Sequence, residues 1–332
     1  MFRSRFLLRM MVAVLLAGSA AQAQMIDQAV LHSTVLISWD MDASEAQQGA
    51  GGRPTGPAVS RGTGFLLFED LGYTKGKVFL ITNRHNLPPE GKPRDIRVRV
   101  VVRDSDGSSR VEEVGVPVVG PNGRYLSTVR VHPNPDTDVA AINIATTAFA
   151  SKFEVLVDAI RTGKRLDTSM LMPTQKLGAA DIGLGSQVYV LGFPAALFDP
   201  RNVSPVLRVG VISTDPGNGY TFSQDLRKAT GLPGHVDGFL IDSNVYPGSS
   251  GSLVIAVPEA QNEKSSPEKP GDKHIGNNLS WRPRIVGIVA GSIPLFDAPL
   301  RSYERIGLGI VYSADTIREV IRLFDGEVTS QR

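Results

Sequence analysis

The sequence predicts an all-β fold built in two halves. About a dozen short apolar runs, rich in Val, Ile, Leu and Phe, recur along the 332 residues. They are separated by Gly, Pro, Asn and Asp, with 34 Gly and 22 Pro in all, the punctuation of strands joined by turns. No helical pattern alternates with them, which argues for a sandwich or barrel and against a parallel α/β sheet. A single amphipathic helical pattern lies mid-chain and divides the runs into two sets.

Taken in order, the chain starts with Arg3, Arg5 and Arg9, a short apolar run from Met10 to Leu16, and the small-x-small triplet Ala21-Gln22-Ala23. This predicts a secretory signal peptide over residues 1–23, cleaved after Ala23, and an exported protein, periplasmic or secreted, that starts at Gln24. The apolar run is too short to span a bilayer well, so no stable membrane span remains after cleavage. The first half, 24–150, holds runs at Thr34–Ser38, Gly64–Phe68, Val78–Thr82, Ile96–Val102 and Val139–Ile144. Residues 151–177 read as a helix, Ser151 to Thr162, and a polar connection. The second half, 178–312, holds runs at Gln187–Gly192, Val206–Ile212, Gly238–Asp242, Ser252–Val257, Arg284–Val289 and Gly307–Tyr312. A helix over Asp315 to Phe324 and a short tail, 313–332, close the chain. Three stretches read as exposed loops: 42–61, 197–205 and 259–282.

Composition removes several classes of function. The net charge of +2 includes the three signal arginines, so the mature chain sits near −1 and offers no basic surface for nucleic acid. Ile96-Arg97-Val98-Arg99-Val100 alternates charge with apolar residues and reads as a strand with one solvated face. There are no cysteines, so thiolate zinc sites, cysteine nucleophiles and disulfides are all excluded. The five histidines, His32, His85, His132, His235 and His274, are scattered, with no metal-ligand spacing. No cofactor and no metal is expected.

One stretch of the sequence points to nucleophilic catalysis. Pro247-Gly248-Ser249-Ser250-Gly251-Ser252 sets serines among glycines just before an apolar run. Glycines let the backbone turn sharply and aim bare N–H groups at one point, where an oxyanion could be stabilised. A serine hydroxyl needs a base, and the base an orienting group. His85 ends the run that starts at Val78, which places its imidazole at a strand end. Asp138 enters the apolar Val139–Ile144 run, where a carboxylate requires a hydrogen-bond donor. Asp136, beside Pro135, reads instead as a turn residue.

The order His85, Asp138, Ser250 resembles that of chymotrypsin-like serine peptidases. Gly62-Thr63-Gly64-Phe65 resembles the small-residue strand before the histidine loop, and Thr82-Asn83-Arg84-His85 the family's Thr-Ala-Ala-His. Asp138-Val139-Ala140-Ala141-Ile142 resembles Asp-Ile-Ala-Leu-Leu. The serine loop is similar to Gly-Asp-Ser-Gly-Gly of trypsin and Pro-Gly-Asn-Ser-Gly-Gly of bacterial HtrA/Deg proteases. Val286–Gly291 and Ile306–Val311 resemble the strands that wall the specificity pocket. The resemblance implies two six-stranded antiparallel β-barrels with a C-terminal helix, and a serine endopeptidase acting on polypeptides. It implies Ser250 as nucleophile, His85 as base then acid, Asp138 as its orienter, and the N–H groups of Gly248 and Ser250 as oxyanion hole. It implies a pocket near Asn244, Val245, Ala290, Gly291 and Gly309. No second domain of the PDZ kind is expected.

Three departures qualify the match. Ser249 replaces the aspartate that pairs with a freed N-terminus in digestive relatives, so no clipping beyond signal removal is expected. Ser252 replaces a glycine, and Ala290 a frequent serine. With Asn244 six residues before Ser250, a small or apolar side chain is expected at the cleavage site, not Arg or Lys. The alternative is a protease-fold binding protein with little turnover. A lipase or esterase is disfavoured, since there the serine precedes the histidine.

Overall fold

The computed structural model describes residues 28–42, 45, 58–70, 76–103, 109–144, 165–199, 201, 203–256, 283–294 and 305–325. The expected signal segment 1–23, the expected helix 151–162, most of loop 42–61 and all of loop 259–282 lie outside them.

A short helix α1 (Gln28–Ser33) leads into the first sheet. Its strands are β1 (Thr34–Asp40), β2 (Val59–Asp70), β3 (Gly76–Thr82), β4 (Arg94–Arg103), β5 (Ser109–Val119), β6 (Val129–Val131) and β7 (Ala140–Asn143). They lie in the order β5-β4-β1-β2-β3-β7-β6, every pairing antiparallel. The second half holds β8 (Gln187–Gly192), β9 (Val206–Ile212), a hairpin of β10 (Tyr220–Thr221) and β11 (His235–Val236) flanking α2 (Gln224–Thr230), then β12 (Gly238–Asp242), β13 (Leu253–Ala256), β14 (Arg284–Pro294) and β15 (Arg305–Ser313). Six of these close as β12-β15-β14-β13-β8-β9, with β12 returning to β9 through Ile241 opposite Ile212.

The expected double barrel is therefore present, with one difference. The C-terminal half closes on six strands, whereas the N-terminal half is a curled sheet of seven whose ladder stays open between β5 and β6. Neither of those edge strands has an apolar run: β5 carries Arg110, Glu112, Glu113 and Pro117, and β6 is three residues long. Charges and proline are what an edge strand tolerates.

The strands read as continuous apolar runs because both of their faces are buried. Along β2 and β3, Leu66, Phe68, Val78 and Leu80 fill the first half's interior. The alternate residues Phe65, Leu67, Phe79 and Ile81 enter a second core shared with Leu191, Leu253, Ile255 and Ile288 of the other half. A third cluster, including Val188, Phe239, Val254 and Val311, fills the closed barrel. The connection straps the halves together: Phe68 N–H donates to Leu166 O (2.9 Å) and Met172 N–H to Ile285 O (2.8 Å). The closing helix α3 (Ala314–Arg322) begins one residue before the expected start and ends two before the expected end. Its Ile317, Val320 and Ile321 are buried in the shared core, and just beyond it Phe324 meets Phe79 at 5.2 Å between ring centroids. The halves thus pack face to face over an apolar layer, and the polar groups at its rim meet across the seam.

Candidate active site

His85 and Asp138 are joined by the register of two paired strands. β3 and β7 run antiparallel with Thr82 opposite Ala140. The residues just past β3 therefore face those just before β7. Asn83 starts a tight turn, Arg84–Asn86, that carries His85. The imidazole Nδ1 is hydrogen-bonded to Asp138 Oδ2, and His85 backbone N–H donates to Oδ1 at 3.0 Å. A carboxylate oxygen accepts, so Nδ1 donates the hydrogen of this bond and Nε2 is the nitrogen left for another partner. The ring's side chain is half exposed and the carboxylate about one quarter exposed.

The Asp138 segment is fixed by neighbours that sequence reading did not single out. Asn83 Nδ2 donates to Asp138 O (2.6 Å), and Tyr312 Oη, reaching over from β15, donates to Asp136 O (2.6 Å). Burial pushes the Tyr312 phenol up to about 12, against the opposing pull of the Asp138 backbone N–H, so it remains a donor at neutral pH. Asp136 acts through its backbone at a turn, and its N–H is held by the Asn134 side chain (3.0 Å), in keeping with its reading as a turn residue.

The serine loop sits between β12 and β13. Gly248 and Gly251 have φ of 87° and 88°, a region that L side chains avoid. Space forbids a side chain as well: a Cβ on Gly248 would lie 2.6 Å from Phe193 O, and one on Gly251 1.8 Å from Thr63 O. Of the three serines, Ser249 and Ser252 are fully buried and only Ser250 is partly exposed. Its Oγ donates to Ala290 O at 2.9 Å. The bond from His85 to Asp138 is formed, while that from Ser250 to His85 is not.

From Tyr246 to Ser252 the loop's N–H groups divide cleanly. Ser249 N–H donates to Tyr246 O (2.9 Å), Gly251 N–H to Val289 O (2.8 Å) and Ser252 N–H to Ser249 O (2.9 Å). Tyr246 N–H donates to Ser249 Oγ (3.3 Å). Among the described residues, the N–H groups of Gly248 and Ser250 donate to nothing. Peptide planarity fixes where they point. Pro247 O accepts from Ala195 N–H (2.6 Å) and Ser249 O from Ser252 N–H, so the N–H on the far side of each peptide faces away from those donors.

Several residues tie this loop to the histidine half. Thr63 N–H donates to Ser250 O (2.9 Å), and Thr63 Oγ1 donates to Gly248 O (2.8 Å) while accepting from Phe193 N–H (3.0 Å). Asn86, next to His85, donates from Nδ2 to Ser250 O (2.9 Å) and to Thr82 Oγ1 (3.0 Å). A Cβ on Gly62 would strike the Asn86 side chain at 2.3 Å, which is why the stretch Gly62-Thr63-Gly64 is built of small residues. Two non-glycine residues, Ala195 and Ala196, hold φ of 51° and 56° in the segment that contacts Pro247. Such backbone strain, of order 1 kcal/mol or more per residue, persists only where the surroundings impose it.

The pocket candidates fall in different places. Gly291 faces open space and Ala290 O holds Ser250 Oγ. Asn244 is exposed, and its carbonyl accepts from Arg208. Val245 is 2% exposed and packs in the closed barrel, and a Cβ on Gly309 would point at it from 2.5 Å. Both of these therefore face the barrel core. Among the described residues no group of three metal-ligating side chains occurs. A cavity of about 810 Å³ against α3 and the β10–β11 hairpin includes none of the residues above.

Comparison with known proteins adds a family. Residues 62–259, well over half of the chain, match the model of the trypsin-like peptidase domain. No curated protein matches. Two crystal structures of the Rv3671c protease in its inactive form, one of them a serine-to-alanine mutant of the protein from M. tuberculosis H37Rv, are each 14% identical to this chain with a TM-score of 0.42. Each covers 90% of this chain, and the matched parts make up 89% and 91% of theirs.

Proposed function

This chain belongs to the trypsin-like peptidase domain family and is a serine-type peptidase; we propose that it is an exported endopeptidase working through Ser250, His85 and Asp138. Ser250 Oγ turns from Ala290 O to His85 Nε2 and attacks the scissile carbonyl carbon, giving its proton to Nε2. Asp138 stabilises the imidazolium through Nδ1. The carbonyl oxygen becomes an oxyanion held by the N–H groups of Gly248 and Ser250. As the C–N bond breaks, His85 returns the proton to the leaving amine and an ester remains on Ser250. Water, deprotonated by His85, releases the acid and restores the serine.

The observation that carries this reading is the pair of unspent N–H groups flanking Ser249, in a stretch from Tyr246 to Ser252 where every other N–H is used. Free donors that converge on a developing negative charge are worth more in turnover than in stability. Export rests on residues 1–23, with the two halves 24–150 and 178–312 joined by 151–177. Maturation requires only signal removal, because Ser249 cannot form the ion pair an aspartate would. Asn244, in place of an acid, supports small or apolar side chains at the cleaved bond.

A fluorophosphonate probe tests the reading. The folded wild-type protein should label at Ser250, and Ser250→Ala and His85→Ala should not. The resting position of Ser250 Oγ on Ala290 O also suits a binding protein in which serine and histidine never meet. Folded protein that fails to label would establish that second reading.

A further inference from the structure

We propose that Arg208 is a positioning residue for the nucleophile loop, an internal cation that staples the loop on both sides of the Gly248 peptide. Arg208 lies mid-way along β9, opposite Val190 of β8. Its sequence neighbours Leu207, Val209 and Val211 turn outward and are 41%, 57% and 40% exposed. Arg208 alternates to the other face with Gly210. A Cβ at Gly210 would lie 2.8 Å from Ser243 Cβ, so the glycine lets the end of β12 come close and brings Asn244 within reach.

The guanidinium then forks. Nη1 donates to Asn244 O, and Nη2 donates to Ser249 Oγ at 3.2 Å. These acceptors bracket Tyr246-Pro247-Gly248, the turn whose last N–H is one of the two free donors. Two further holds act on the same turn, Ala195 N–H on Pro247 O and Thr63 Oγ1 on Gly248 O. Together they leave the Pro247–Gly248 peptide one orientation.

A purely structural role does not account for an arginine here. Its Nε is buried without a partner, and among the described residues no carboxylate pairs with it. Burial pushes the guanidinium down from its ordinary value. A half-buried cation without a counter-ion is a cost to folding that a methionine of similar length would avoid. What the cation supplies is a rigid two-pronged donor and a positive charge behind the serine that must face an oxyanion. It takes up the position left open by Ser249: where a carboxylate would await a new N-terminus, a hydroxyl here accepts from a cation already in the chain.

The inference rests on the peptidase reading, and one experiment separates the two. Labelling of Ser250 by the fluorophosphonate and steady-state kinetics on a peptide substrate are measured for wild type, Arg208→Met, Arg208→Lys, Ser249→Ala and the Met/Ala double variant, each with a urea midpoint. Arg208→Met should lower kcat by roughly 10- to 100-fold, with KM changed less than about threefold and the urea midpoint not reduced. Arg208→Lys should recover part of the loss. The double variant should lose less than the product of the two single losses, because both changes cut the link from Arg208 to Ser249. Arg208→Met within twofold of an active wild type, or losses that multiply in the double variant, overturn this inference alone. Folded wild type that does not label overturns the peptidase reading and this inference with it. Should Arg208→Met not fold, Arg208→Gln replaces it, and kcat for Gln equal to that for Lys counts against the proposal.

Discussion

The two halves of the site are assembled in different ways. On the N-terminal side, His85 and Asp138 are brought together by adjoining strands, and the hydrogen bonds between them are formed. On the C-terminal side, the Ser250 loop owes its shape to groups from elsewhere: Thr63 and Asn86 across the seam, Ala195 on a strained segment, and Arg208 from β9. Its hydroxyl rests on Ala290 O, off the histidine. The proposed acid–base pair is intrinsic to its own sheet, whereas the proposed nucleophile and oxyanion donors depend on contacts that can be loosened one at a time. Activity should therefore be graded on the serine side and all-or-none on the histidine side.

The sharpest way to break that contrast is to remove the base. His85→Ala should lower kcat/KM by roughly 10⁴- to 10⁶-fold while leaving the urea midpoint close to wild type, since the ring is half exposed. A loss below about 100-fold would mean that His85 is not the base. Next comes Gly248→Ala, whose Cβ would meet Phe193 O at 2.6 Å and whose φ of 87° suits glycine. Turnover should fall by about 10²- to 10³-fold with KM much less affected, the mark of a lost oxyanion donor. Thr63→Val should combine both kinds of effect, because one hydroxyl serves Gly248 O and Phe193 N–H. A drop in kcat of roughly tenfold and a destabilisation of about 1–3 kcal/mol by urea titration are expected. Ala195→Gly should go the other way in stability, by about 0.5–1 kcal/mol, because glycine accepts its φ of 51°. A lower midpoint would show that the strain is not there.

The smallest expected effect concerns Tyr312. Its folded value near 12 exceeds the ordinary 10, so the folded state holds that proton to higher pH than the unfolded chain does. The contribution is present in full below pH 10 and is lost as pH rises through about 12. The stability difference between wild type and Tyr312→Phe, followed by chemical denaturation from pH 8 to 11, should shrink with rising pH.

These two halves were also legible in the sequence to different degrees. His85, Asp138 and Ser250 stood out because a base, a buried-strand carboxylate and a glycine-flanked hydroxyl are local features. Buried strands such as β3 showed as unbroken apolar runs, since both of their faces are covered. The edge strands β5 and β6 were missed because charge, proline and shortness hide the pattern. Thr63 and Asn86 could not be read as site residues at all: their partners Gly248 and Ser250 lie 185 and 164 positions away. Arg208 was hidden in a strand whose alternation gave no hint that it alone turns toward a loop. For Val245 and Gly309 the resemblance indicated a pocket, and the side-chain direction along their strands turns them into the barrel interior instead.

The central claim is that the serine loop already holds its oxyanion donors in place and that only the Ser250 side chain must move. A crystal structure of the phosphonate adduct tests it most directly. Ser250 Oγ should be bonded to phosphorus and gone from Ala290 O, with a phosphonyl oxygen about 3 Å from the N–H groups of Gly248 and Ser250. Ala195 N–H should still hold Pro247 O. An adduct in which that oxygen points to solvent, or in which the Pro247–Gly248 peptide has turned over, would contradict the account.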